Sequence, residues 1–483
     1  LKKPYIYKGS HIEKIGRIYV DDILINDDGN LTSLKSKVDS VQHAKTARFV
    51  IGTSTAGWTK KDCDYLCDGE NDQEEIMQAL YALPTGGEVV ILDGTYNITA
   101  SINIPKDNVS LRGNGNATIL KRMYNSTSEN SGDTARGLIT LNGKSGCKIQ
   151  GLQIDGDKSK YSASYNYGIY LTSSSNNNTV TGNTCNNSSN SGIYLSSSSN
   201  NTVTGNACND NSNSGIYLSS SSNDNTVTVN TCNNNNLYGI YLYSSSNNNT
   251  VTDNTCSNNS RGIYIVSSNN NTVTGNTYNN NNYGIYLSSS SNNTITGNTC
   301  NNNSDSGISG IYLSSSSNNT ITGNTCNNNS SDGIYLYSSS NNTITGNTCK
   351  NNSNSGIYLS SSSNDNTVTG NTCNNSKYGI NLDSSSNNTV TGNNCNNNNY
   401  GIRLSSSSNN TITGNTCIRG TGQTSDYDSN QYTIRLLGDT NNYNLISLNN
   451  CMGKAVVTGG GAGNSVWGNK FDNTDDLTRQ EAT

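Results

Sequence analysis

Three carboxylates, Asp133, Asp155 and Asp157, stand close together in a chain with only 13% charged residues. The stretch that carries them runs from Lys121 to Lys160 and also holds Arg122, Arg136, Lys144 and Lys158. Paired carboxylates beside bases are what cleavage of a glycosidic bond uses, one as acid and the other as base or nucleophile. The bland reading of the same residues is that "GLQIDGD" is a structural turn and "YNSTSENSGDTARG" (124–137) a solvated loop over a groove. Both histidines, His11 and His43, precede the repetitive body of the chain, so a histidine base or triad on that body is not expected. Acid–base chemistry there falls to carboxylates, Lys, Arg or Tyr, and no metal or cofactor is expected.

A second set of residues is aromatic. Tyr170, Tyr194, Tyr217, Tyr241, Tyr264, Tyr286, Tyr312, Tyr335 and Tyr358 each follow a Gly-Ile pair, and near the C-terminal end Asn381, Arg403 and Arg435 take their place. Stacked one above another, such tyrosines offer a shallow track for an extended glycan; they also stabilise a sheet by cross-strand packing with no ligand at all. Arg403 joins them as a glycan contact or forms a surface ion pair with the diagonal Asp383.

What must position these residues is the repeat itself. Gly-Ile recurs from Gly168 to Gly401 at spacings of 22 to 26 residues, within units such as "GIYLSSSSNNTITGNTC". Leucine-rich repeats have this length but need several leucines and usually a helix, whereas these units are filled with Thr, Ile and Val. A parallel β-helix fits. Alternation then points Ile and Leu of "GIYL" inward and Tyr outward, and buries the middle residue of "TIT" between two outward threonines. "KIQGLQI" aligns with "TVTGNTC" and puts Leu152 in the Asn slot and Ile154 in the Cys slot, so both slots face inward. Cys451 and Phe471 fall in the Cys slot further on. The expected solenoid covers residues 88–471 in 16 or 17 coils, about 75–85 Å long at a strand spacing of ~4.8 Å.

The inward asparagines are expected to form a ladder along the axis, which penalises any slip of register. Ten cysteines, from Cys185 to Cys417, share one inward slot that Tyr278 takes once. Without ligand partners at metal spacing they read as buried reduced thiols; Cys63 and Cys67 form a separate local pair for which a disulfide is one option. Regular outward threonines also raise the remote reading of an ice-binding face.

Composition sets further limits. Only 30% of residues are hydrophobic, which would starve an ordinary globule, but a narrow stacked core needs few per coil. A net charge of −5 leaves no basic stripe for nucleic acid. The longest purely apolar run, Val89 to Leu92, is far too short to cross a membrane.

Before the coils, "ENDQEEIMQALYAL" (70–83) places Ile76, Leu80 and Leu83 on one helical face after Asn71 or Asp72 as N-cap, a lid for the first coil within a capping region at 49–87. In residues 1–48, Leu31, Leu34, Val38 and Val41 have the 3, 4, 3 spacing of a short coiled-coil seam after an Asn30 cap. That segment is expected to join identical chains, most simply as a trimer, and residues 472–483 form a tail.

The stretch "DGENDQEEIMQAL", "LPTGGEVVILDGTYNI" and "VSLRGNGNATIL" resembles the start of the pectate-lyase-like superfamily found in phage tailspikes and bacterial surface proteins. The later coils are similar to NosD-type repeats of secreted carbohydrate-acting proteins. The resemblance implies a right-handed parallel β-helix that acts at a cell surface or on a virion tail. Its partner would be a polysaccharide or cell-surface glycan, and residues 1–48 would provide attachment to a baseplate or tail. It leaves activity open, since the scaffold carries lyases, hydrolases, epimerases and inert fibres. This chain lacks the "GHG" of polygalacturonase-type hydrolases, and its repeats offer no evident counterpart to the calcium-binding acids of pectate lyases. Glycan binding is therefore the first expectation, a polysaccharide lyase or glycoside hydrolase the second, and a structural spacer or adhesin the third.

Overall fold

The computed structural model describes the backbone of residues 24–27 and 30–33, and then residues 47–126, 133–303, 309–418, 432–452 and 461–471. It is a parallel β-solenoid of about 15 turns, slightly fewer than the repeat count suggests, with one α-helix among the described residues. Each coil adds one strand to each of two principal sheets. The "GIYL" segments stack into a 14-stranded parallel sheet, in the register Ile285↔Ile311, Tyr286↔Tyr312, Leu287↔Leu313. The "TIT" and "TVT" segments stack beside it, Thr294↔Thr320, Ile295↔Ile321, Thr296↔Thr322. Single bridges such as Thr299↔Thr325 line up the third side.

Alternation in these short strands decides what is buried. In the coil that starts at Gly310, Ile311, Leu313, Ile321 and Cys326 are fully buried, and their counterparts in neighbouring coils repeat the pattern. The Gly-Ile glycine recurs because it lies where coils touch. A Cβ on Gly310 would come within 2.8 Å of the Gly333 carbonyl oxygen one coil on. Gly323 serves a different need, with φ of +63° at the bend after "TIT", a conformation that costs other residues energy.

The expected asparagine ladder is present, and it has two companions. Asn324 Oδ1 accepts from the backbone N–H of Asn298 at 2.9 Å and from its Nδ2 at 3.0 Å; Asn324 Nδ2 in turn donates to Ile295 O at 2.9 Å and to Asn347 Oδ1 at 3.0 Å. A second ladder runs through Asn293, Asn319 and Asn342, and a third through Asn303, Asn329 and Asn352. These amides satisfy turn backbone that the sheets leave unpaired, which is how a polar chain closes its corners without exposing its core.

Helix α1 (Gln73–Ala82) covers the first coil, with Ile76, Ala79, Leu80 and the following Leu83 fully buried. Asp72 precedes it but makes no capping bond to the helix. Its carboxylate accepts from Gly69 N at 2.8 Å and Asn97 N at 2.6 Å, pinning α1 to the first coils. The coiled-coil expectation is corrected at its start: Asn30–Ser33 pairs as an antiparallel strand with Leu24–Asp27, so Leu31 is in a strand. Pairing with Leu24–Asp27 satisfies the backbone of Asn30–Ser33 from a neighbouring strand, where a helix would have satisfied it from within. Leu34, Val38 and Val41 lie outside the described residues, as do His11 and His43.

Candidate functional site

The tyrosine expectation holds in its geometry. From Tyr217 through Tyr241, Tyr264, Tyr286, Tyr312 and Tyr335 to Tyr358, successive ring centroids are 4.7–5.3 Å apart. In-register parallel strands impose this spacing, and rings so placed stack face to face or tilt slightly. Burial pushes the hydroxyls of Tyr312 and Tyr358 up to about 12, so both stay neutral.

Two of the named tyrosines are covered. Tyr170 is fully buried, its hydroxyl bonded to Thr172 and Arg136, and Tyr194 is 7% exposed against the ring of Tyr167 at 4.7 Å. The 3-10 turn Thr134–Arg136 lies against the sheet there, with Arg136 meeting the Tyr170 hydroxyl. The open track therefore begins at Tyr217.

A column that the repeat count overlooked runs beside the first. The residue before each Gly-Ile glycine shares this face: Tyr238, Arg261 and Tyr283 are register partners in consecutive coils, and so are Tyr378, Tyr400 and Tyr432. The sequence signal was present in "YGI" and "RGI". Tyr238 lies 4.5 Å from Tyr241 and Tyr283 5.2 Å from Tyr286, which widens the aromatic surface to two columns. Towards the C-terminal end, Arg403 Nη1 donates to Asn381 Oδ1 at 2.9 Å and its guanidinium lies 5.4 Å from the Tyr378 ring. Among the described residues Arg403 makes no ion pair with Asp383, because Asn381 lies directly opposite it in register. Arg435 similarly donates to the Tyr400 hydroxyl.

The three carboxylates do not gather on this face. Asp155 ends the strand Lys148–Asp155 of the threonine-bearing sheet; its Oδ1 accepts from Asp157 N at 3.1 Å and Asn187 Nδ2 at 3.3 Å. Asp157 takes φ of 41°, accepts from the Ser159 hydroxyl and faces Lys121 Nζ at 3.4 Å. Asp133 instead caps the Thr134–Arg136 turn by accepting from Ala135 N, just ahead of the strand Gly137–Asn142 of the tyrosine sheet. Each has a local bonding role, and Asp133 precedes a strand of the tyrosine sheet whereas Asp155 ends a strand of the other sheet, with Asp157 just beyond it.

All fourteen cysteines are free, including Cys63 and Cys67. The column from Cys185 to Cys451 is sealed inside the coils, and burial pushes thiols such as Cys208, Cys256 and Cys326 up. Outward threonines flank the buried middle residues on the adjacent sheet, as in Thr320–Thr322.

In-register parallel ladders on every side of a narrow core define a right-handed parallel β-helix, and residues 103–278 match the family model described as the right handed beta helix region. Three overlapping matches, at 244–377, 302–446 and 361–483, are to the model described as periplasmic copper-binding protein (NosD). Together the two models span residues 103–483, and the chain has the right-handed parallel β-helix fold that the resemblance to the pectate-lyase-like superfamily implied.

Several solved structures are similar. The A-module of the mannuronan C-5 epimerase AlgE4 of Azotobacter vinelandii is 16% identical, with a TM-score of 0.38, over 87% of this chain and 100% of that one. Tailspike protein 3 of bacteriophage CBA120 is 13% identical, with a TM-score of 0.43, over 94% of this chain and 63% of that one. The lidless DFA-IIIase of Arthrobacter chlorophenolicus A6, in complex with GF2, is 13% identical with a TM-score of 0.49, over 72% and 94%. No curated protein matches the chain.

The copper in the NosD description does not fit the residues described. Donor atoms of Cys67, Asp72 and Glu75 lie within 4.8 Å of one another. The Cys67 thiol, however, donates to the Asp72 carbonyl, both Asp72 carboxylate oxygens hold backbone N–H groups, and burial pushes the thiol up. A metal ligand must be a thiolate with free lone pairs. The cysteines of the column offer soft sulfur, but they are sealed in a closely packed apolar interior, and among the described residues no histidine lies beside them to complete a site.

Proposed function

We propose that this β-helix protein binds an extended polysaccharide along its tyrosine sheet, in the manner of a tailspike, tail-fibre or cell-surface protein that works outside the cell. The observation that carries the reading is the uninterrupted tyrosine stack from Tyr217 to Tyr358, half-exposed and widened by Tyr238 and Tyr283. Aromatic faces supply apolar contact to the C–H faces of sugars, and the neighbouring hydroxyls supply hydrogen bonds. A stack that repeats at the strand spacing presents the same surface coil after coil, which suits a polymer better than a single small ligand.

Binding is favoured over cleavage because Asp133, Asp155 and Asp157 each hold local structure and are not gathered around the aromatic track. The experiment is retention of a panel of bacterial capsular and plant polysaccharides on the immobilised chain, with reducing ends and unsaturated uronates assayed in parallel. Retention without cleavage, lost in a Tyr286→Ala, Tyr312→Ala, Tyr335→Ala triple variant, is the expected result. Cleavage abolished by Asp155→Asn or Asp157→Asn would replace binding with the depolymerase reading. Retention by no polymer would leave the spacer role. Attachment and trimer formation through residues 1–48 belong to the same proposal, and sedimentation of the full chain against one lacking those residues tests them.

A further inference from the structure

The aromatic face carries one cation at its centre that the fold does not use. Arg261 occupies the register position that Tyr238 fills in the preceding coil and Tyr283 in the next. Its guanidinium carbon lies 4.6 Å from the ring centroid of Tyr264, 5.1 Å from Tyr286, 5.4 Å from Tyr238 and 5.8 Å from Tyr283. Four rings thus hold the group, yet its Nε is buried without an acceptor. Among the described residues the guanidinium makes no ion pair and no side-chain hydrogen bond. The other arginines of this face differ: Arg403 is spent on Asn381 and Arg435 on Tyr400. Asp332, the acidic residue in the same column, stands three coils on, about 14 Å away at the strand spacing. It is buried and engaged by Ser355, Asn354 and Ser331.

A guanidinium has five donors in a fixed planar fork and no acceptor, and its best complement is an oxyanion that takes two parallel N–H bonds. Cation–π contact leaves those in-plane donors unsatisfied while fixing the orientation of the plane. Tyrosine rings around it exclude part of the water that would otherwise compete.

We infer that the polymer held by this face is acidic, and that an oxyanion on one of its sugars, a carboxylate or a sulfate, seats on Arg261 within the Tyr238, Tyr264, Tyr283, Tyr286 cluster. The inference rests on the glycan-binding reading above and adds the charge class of the ligand. The chain's net charge of −5 opposes an acidic polymer in general, so attraction must come from this local site.

The test measures affinity of the full chain for a polyuronate, a sulfated glucan and an uncharged glucan, for the parent, Arg261→Gln and Arg261→Lys. The parent is expected to bind one of the acidic polymers and to bind the uncharged one weakly or not at all. Preference for the polyuronate assigns a carboxylate, and preference for the sulfated polymer a sulfate. Arg261→Gln should weaken acidic binding by about tenfold to a hundredfold, as expected for a lost pair of charge-assisted bonds. Arg261→Lys, which keeps the charge but not the fork, should fall between, and it also serves if the glutamine variant fails to fold. Equal affinity for charged and uncharged glucans, or acidic binding unchanged in both variants, overturns the inference. If the uncharged polymer binds and only the tyrosine variant abolishes it, the glycan-binding reading survives while this inference fails; if nothing binds, both fail.

Discussion

The sharpest consequence of the architecture concerns one buried amide. Asn324 lies in the middle of the longest ladder, is 1% exposed, and makes four side-chain hydrogen bonds to two neighbouring coils. Truncation by Asn324→Ala leaves the backbone N–H of Asn298 with no acceptor inside the coil and removes one bond from Ile295 O. The Asn298 amide keeps its bonds to Val273 O and Thr296 O, and Asn347 Oδ1 keeps Asn324 N, so the damage stays local. One orphaned buried donor costs about 1–3 kcal/mol and the weakened acceptor adds a smaller amount. The expected loss is therefore about 2–4 kcal/mol. Asn324→Leu should recover packing but not the N–H bond, and so remain destabilised. Leucine is tolerated in this slot at Leu152, where the ladder starts and Leu152 N donates to Asn183. Asn318→Gly, at an exposed turn with φ of 58°, is the control and should change little. Because a solenoid unfolds partly as nearest-neighbour units, urea denaturation is best paired with hydrogen exchange at Asn298 and the flanking coils. A loss under about 1 kcal/mol together with unchanged protection at Asn298 would show that the ladder does not hold the coils.

Three further substitutions test other parts of the coil. Burial raises the Asp332 carboxyl above its ordinary value of 3.8, so its contribution is complete below that value and is lost as pH rises through the raised one. Asp332→Asn should therefore gain stability relative to the parent as pH rises from about 4 to 8, read as the difference in melting temperature; a constant difference would contradict the assignment. Tyr278, which interrupts the cysteine column, is fully buried with a hydroxyl that has no partner; Tyr278→Phe should raise stability by about 1 kcal/mol, and a lower urea midpoint would point to a hidden acceptor. Val229 takes φ of 56° at a bend where neighbouring coils use Gly205 and Asp253. It is 59% exposed, so Val229→Gly gives up little packing and should stabilise by about 0.5–1 kcal/mol after the entropy cost of glycine, with thermal unfolding as the check.

The scaffold was legible because a period of about two dozen residues exposes each slot many times. Alternation in "GIYL" and "TIT" was enough to assign faces, and the irregular "KIQGLQI" confirmed the inward slots, since Ile149 pairs with Val180 and Ile154 with Cys185. Two things were harder to read. Asn319 and Asn329 sit outside the short strands, where alternation gives no direction, so their ladders emerged only from the turn geometry. Burial of Tyr170 and Tyr194 depends on contacts from Arg136 and Tyr167, a tertiary effect with no local signature. The carboxylates show the same limit: Asp155 and Asp157 are adjacent in sequence to a loop that leads elsewhere, and proximity in the chain did not bring Asp133 to them.

These outcomes bear on where function resides in such a molecule. Each coil rebuilds the same backbone from inward Ile, Leu, Asn and Cys, so an outward position can change with little effect on the fold. Departures on the threonine side, Val229 and Asp253, fall at bends and alter only turn conformation. Those on the tyrosine side, Arg261, Asn381, Arg403 and Arg435, replace outward residues within strands and hold the sheet register. Stacking alone would favour an unbroken aromatic column, and an arginine inserted among four rings with no acceptor gains cation–π contact but leaves donors unused. A group that keeps its hydrogen-bonding capacity within an otherwise completed surface is better explained by what it binds than by what it supports. The uniform coils thus act as a ruler on which chemical differences are placed, and on the tyrosine sheet one of those differences, Arg261, retains free donors.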